Sequence, residues 1–175
     1  DREEKVKRRV EEELDRVRRT DDRVLKRVEE RLREDEKRNE EVIRRNEKTL
    51  RELEKRLRDN RKPDDRMREL LERSRRKAEE ALRKTKKIVR DVREKMREAK
   101  EESRKIEERI KETIREKGVD EDVVRELEEL LKRWKETSER VKRELTDLLR
   151  KSEETSKEVT KTLRELDKRI EDELR

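Results

Sequence analysis

The chain contains no cysteine, histidine, phenylalanine or tyrosine, and only one glycine, one proline and one tryptophan among 175 residues. Each absence removes a class of chemistry. Without cysteine there are no disulfides and no thiolate metal sites, and the redox compartment stays undetermined. Without histidine, zinc lacks the other of its preferred ligands. The Glu-x-x-His pairs of a di-iron bundle cannot form, and the serines have no imidazole to activate them. No strand-turn-helix elbow exposes a serine either. Apolar runs are equally scarce. None approaches the roughly 20 residues needed to cross a bilayer, and no signal-peptide core is present, so the chain is expected to be soluble.

What is there is charge: 65% of residues are Asp, Glu, Lys or Arg, and 25% are hydrophobic. Such a composition fits disorder unless the few apolar residues keep a helical phase. They do. Val123, Val141 and Val159 recur at intervals of eighteen, as do Leu127, Leu145 and Leu163, and Leu130, Leu148 and Leu166. Eighteen residues at about 3.6 per turn make about five whole turns, so each side chain returns to the same face without drift. The same interval relates Val6, Val24 and Val42, and Leu14, Leu32 and Leu50 early in the chain. In the middle it relates Leu70, Ile88 and Ile106, and Ala78, Met96 and Ile114. A heptad repeat would impose a left-handed supercoil; this period predicts nearly straight helices.

Punctuation divides the chain into three helices, about 1–58, 63–117 and 120–174. Asp1 with Glu4 fits a capping box. Pro63 suits the first position of the second helix, with Asp64 and Asp65 in its first turn. Gly118 can take the left-handed conformation that ends it. Asp120 is the natural N-cap of the third, with Val119 stapled onto Val124. Short connections force antiparallel neighbours. The expected fold is therefore all-α, a single elongated up-down-up three-helix bundle over 1–175, roughly 80 Å long at 1.5 Å per residue.

Polar residues on the apolar stripes are the candidate site. They are Asp21, Asp35, Asn39 and Asn46 in the first helix, Ser74, Thr85 and Ser103 in the second, and Ser138, Ser152 and Ser156 beside Trp134 in the third. An inward polar group costs a few kcal/mol if unpaired, so scattered ones would be errors. Folding the chain at its two loops sets Asp21 against Ser103 and Ala99, and Ser103 against Trp134. It also sets Asp35 and Asn39 astride Thr85 and Ala81, facing Ser152 and Ser156. The expectation is two buried hydrogen-bonded layers, with the Trp134 indole N–H donating to Asp21 or a neighbouring serine, and a third cluster at Asn46 and Ser74. The competing reading places these residues on stripe edges facing water. Ala78, Ala81 and Ala99 are expected to make room for Trp134 and the polar partners; the alternative is that they line a ligand cavity.

Functional classes can be weighed against this architecture. The net charge of +7 invites a nucleic-acid reading, but 60 basic and 53 acidic residues are interleaved along every helix, with no aromatic platform, so no specific nucleic acid is expected. The apolar stripes are too narrow for a helix lying on a membrane. Carboxylates are so abundant that helical spacing between two of them carries no information, and neither enzyme activity nor a metal or other cofactor is expected.

The clean Val/Leu/Ile layers, the restricted alphabet, the loops Arg58–Asp65 and Lys117–Asp122, and the Glu/Arg/Lys-filled exposed faces resemble de novo designed, parametrically generated helical bundles, including those with designed buried hydrogen-bond networks. The resemblance covers the whole chain, although alanine is scarce and arginine plentiful for that family. Spectrin-like repeats are less similar, having shorter helices and carrying Phe, Tyr, His and Gln. The resemblance implies a stable scaffold with no evolved ligand, substrate or cell, cytoplasmic only when produced recombinantly. A monomer needing no partner is the first expectation. Self-association or a designed helical partner is the alternative. Core supply separates the two: three helices need roughly 45 inward residues, and the hydrophobic fraction supplies about 43, too few to spare for a large apolar interface.

Overall fold

A computed structural model describes residues 2–60, 64–118 and 120–175. They form three α-helices, α1 (Arg2–Asp59), α2 (Asp65–Lys117) and α3 (Glu121–Leu174), packed against one another, with no strand among the described residues. Propensity and pattern agree throughout. The helices are built from Glu, Lys, Arg and Leu, which lose little side-chain freedom in a helix, and no glycine or proline interrupts them.

The described helix ends are specified by single residues. Asp120 caps α3, its Oδ1 accepting the Val123 backbone N–H at 2.9 Å. Gly118 ends α2 at φ +73° and donates its N–H to the Ile114 carbonyl at 3.2 Å, a left-handed C-terminal cap. Asp64 is the N-cap of α2, accepting the Met67 N–H at 3.2 Å, so the helix starts two residues later than a Pro63 start predicts and Asp64 is not a first-turn acid. The physical reason is that a carboxylate satisfies an orphan N–H directly, whereas proline only avoids having one. The expected roles of Asp1, Pro63 and Val119 fall outside the described residues. No basic residue occupies the last turn of α3, and there Arg56 of α1 donates to the Leu174 carbonyl at 3.1 Å instead.

The helices contribute to two compact units, one made of Asp1–Glu30 with Asp91–Leu148, the other of Arg31–Arg90 with Leu149–Arg175. In the first, Val10, Leu14, Ile110, Leu127, Leu130 and Trp134 form the buried cluster. Contacts there run antiparallel between α2 and α3, from Arg140–Glu102 to Lys117–Glu126, and parallel between α1 and α3, from Glu13–Lys135 to Asp21–Ser138. In the second, Val42, Ala81 and Leu163 belong to one buried cluster and Leu53, Met67 and Ile170 to another. The same directions hold: Lys84–Glu158 and Arg66–Glu173 join α2 to α3 antiparallel, while Asp35–Ser152 and Asn46–Asp167 join α1 to α3 in parallel. Both units are therefore up-down-up. Leu53, Ile110, Leu127, Leu145, Leu163 and Ile170 are fully buried, each contributing roughly 2 kcal/mol of apolar burial.

Candidate functional site

The polar residues on the inner faces make three distinct arrangements. The most enclosed lies in the second unit and draws one residue from each helix. Asn46 of α1 donates from Nδ2 to Oδ1 of Asp167 on α3 at 2.8 Å and to Oγ of Ser74 on α2 at 3.3 Å. Asn46 and Ser74 are wholly buried and Asp167 nearly so. Donors are in short supply: Oδ1 of Asn46 and Oδ2 of Asp167 have no partner. Burial accordingly raises the Asp167 carboxyl above its ordinary range, and the charge of Glu171 adds to the rise. The Asn46 hydrogen bond and the charge of Arg45 offset part of it.

A second pair lies in the same unit. Ser152 donates to Asp35 Oδ2 at 2.8 Å, both residues being buried. Asn39 and Ser156 are buried as well, and Oδ1 of Asn39 finds no donor. Thr85 does not join across helices. Its hydroxyl donates to the Ala81 carbonyl one turn back at 2.6 Å. A β-branched hydroxyl has that carbonyl within reach whatever its neighbours offer. A void of about 10 Å³ accompanies this layer, room for one water at most.

The third arrangement belongs to the first unit. Ser138 donates to Asp21 Oδ2 at 3.0 Å. Burial raises the Asp21 carboxyl; the Ser138 hydroxyl counters this, Asp22 adds to the rise, and the Ser103 hydroxyl lowers it slightly. Trp134 does not take the place expected of it. Its ring sits within the Val10, Leu14 and Leu127 cluster, 1% exposed, and its indole N–H has no acceptor. Ser138, one turn further along α3, reaches Asp21 instead. Space is the other surprise. A half-open cavity of about 190 Å³ lies between Asp21, Val24, Ala99, Ser103, Ser138 and Leu145, with Trp134 also at its wall. Ala81, by contrast, is packed into an apolar cluster with Ala78 against it, so the three alanines expected to play one role play two.

Three buried polar residues escaped the sequence reading: Thr49, Thr113 and Asp167. The threonines donate to the carbonyls of Arg45 and Arg109 within their own helices and need no partner across the core. Asp167 did leave a signal, since it stands eighteen residues after Leu149 and thirty-six after Leu131, both buried.

Among the described residues, no group of three or more Asp or Glu side chains is placed to hold a metal ion, and no helix is long and apolar enough to cross a membrane. Fold and site together define an all-α three-helix bundle whose core carries hydrogen-bonded polar residues. Comparison with protein-family models, with curated proteins and with solved structures finds no match to this chain.

Proposed function

We propose that the chain is a structural scaffold of designed origin, a monomeric three-helix bundle with no catalytic activity, whose buried polar layers hold its helices in one register. The observation that carries this reading is the Asn46–Ser74–Asp167 cluster. It joins all three helices through one amide: a one-turn shift of α1 or α3 would strand a buried amide and a buried carboxylate without partners, at several kcal/mol, and a shift of α2 would break the amide's bond to Ser74. The two aspartate–serine pairs support it. Asp21–Ser138 and Asp35–Ser152 share a separation of 117 residues, so one motif is used twice at one helical register. The monomer is favoured by the surface, since Leu82 is the one exposed large hydrophobic among the described residues and a lone leucine does not make an obligate interface.

Two measurements test this. Sedimentation equilibrium should give 21.9 kDa at all concentrations, and a doubled mass would move the reading to a self-assembling module. Replacing Asn46, Ser74 and Asp167 together by Leu, Ala and Leu should leave helicity and stability equal or higher while multiplying amide resonances, because interchangeable apolar layers then admit several registers. One sharp set of resonances in the triple variant would remove the register role.

A further inference from the structure

The cavity at Asp21 has features that a packing defect does not require. One wall is apolar, formed by Val24, Leu25, Ala99, Val141 and Leu145; the other holds the Asp21 carboxylate with the hydroxyls of Ser103 and Ser138. The carboxylate is held by hydroxyls alone. No ion pair to Asp21 occurs among the described residues, and its acidic neighbour Asp22 adds negative charge beside it. Four basic residues also line the cavity, and none forms an ion pair with that carboxylate: Arg18 is paired with Glu107, Arg104 lies 3.9 Å from Glu108, and Lys100 and Lys142 stand at the wall. A half-buried carboxylate with open space before it and no direct ion pair is complementary to a cation small enough to enter. Size sets the rest. About 190 Å³ exceeds the roughly 150 Å³ that admits benzene in an engineered apolar cavity, so a six-membered hydrocarbon ring with one short substituent fits.

We propose that this cavity binds a primary ammonium ion carried on a compact hydrocarbon body, the ammonium on the Asp21 carboxylate and the hydrocarbon against Val24, Leu25, Ala99, Val141 and Leu145. The ammonium supplies three donors, to the carboxylate and to the hydroxyls of Ser103 and Ser138, each of which can still accept. Neutral apolar molecules would leave the carboxylate with its hydroxyl partners alone.

Trp134 is the chain's only aromatic residue and stands at the cavity wall, so its fluorescence reports occupancy directly. Cyclohexylmethylamine, which does not absorb in the same range, is titrated into the full chain, with backbone amide shifts of Ala99, Ser103 and Ser138 followed in parallel. A saturable response is expected, with cyclohexylmethanol binding at least tenfold more weakly. Asp21→Asn should also weaken the amine at least tenfold, and Ala99→Leu should abolish binding by filling the space while the helical content is retained. No saturable response in either readout overturns the proposal. So does equal affinity for the alcohol, or a response unchanged in Asp21→Asn, which would be amine adsorbing on surface carboxylates.

Discussion

At Asn46 the helices close completely over their polar contacts, whereas at Asp21 they leave about 190 Å³ open. The chemistry is nearly the same in both places: a carboxylate, a serine hydroxyl and a neighbouring helix. The difference is volume. Around Asn46 the amide is large enough to span to both partner helices and Leu50, Leu71 and Ile170 are buried nearby in sequence. Around Asp21 the inner wall includes Ala99, Ser103 and Ser138, all small, while the largest side chain at the cavity, Trp134, is drawn into the apolar cluster beside them. Polar layers specify register only where their side chains also fill the cross-section. Where they do not, the layer becomes a pocket.

Deleting one partner from each layer should separate the two most widely. Asn46→Ala strips the one cross-helix donor that the buried Asp167 carboxylate has among the described residues and opens a hole, and should cost about 3 kcal/mol in chemical denaturation. Ser138→Ala should cost about 1 kcal/mol, since water in the open cavity can take over its bond to Asp21. Equal costs would mean that the Asp21 layer is as dry as the other.

Enlarging Ala99 and enlarging Ala81 should give opposite signs. Ala99→Leu fills empty space and should stabilise by about 1 kcal/mol, whereas Ala81→Leu overpacks a filled cluster and should destabilise by about 2 kcal/mol. Thermal midpoints moving in the same direction would erase the contrast.

The smallest effect is in pH. The Asp167 carboxyl is raised in the folded state above its ordinary value near 3.8, so between those two values the folded chain holds a proton that the unfolded chain has released. Its contribution to stability is therefore present below that window and lost as pH rises through it. A proton on Asp167 also supplies a donor in a layer with two unpartnered acceptors. Asp167→Asn should remove this dependence, so wild type should lose ground to the variant between pH 4 and pH 7 in urea denaturation. Asp21→Asn should show the same sign more weakly, because Asp21 is half-exposed. A wild-type advantage that grows with pH would reverse the assignment.

How far the sequence reaches depends on what kind of quantity is asked of it. Helix number, direction and ends follow from periodicity and from Gly118 and Asp120, whose backbone roles few other residues fill. The start of α2 was harder, since Pro63 and Asp64 both suit a helix N-terminus and the choice rests on one hydrogen bond. Asp167 was legible in principle through the positions of Leu131 and Leu149, but in a chain so rich in charge an aspartate draws no notice unless the repeat is followed to its last copy. The Trp134 N–H was not legible, and the cavity was legible only as the lesser alternative that Ala99 raised. Which way a ring turns, and whether neighbours relax into a gap, are settled by packing forces that depend on every side chain at that level.

Gly118 bears on a different matter, the handedness of the building blocks themselves. It is the one described residue with positive φ, and a Cβ built there in the L configuration would meet nothing within 4 Å, so any penalty for L-alanine is purely torsional, about 1 kcal/mol. The mirror-image residue favours that very torsion. Chemical ligation with D-alanine at this single point would stiffen the reversal between α2 and α3 through the unfolded chain's lost freedom.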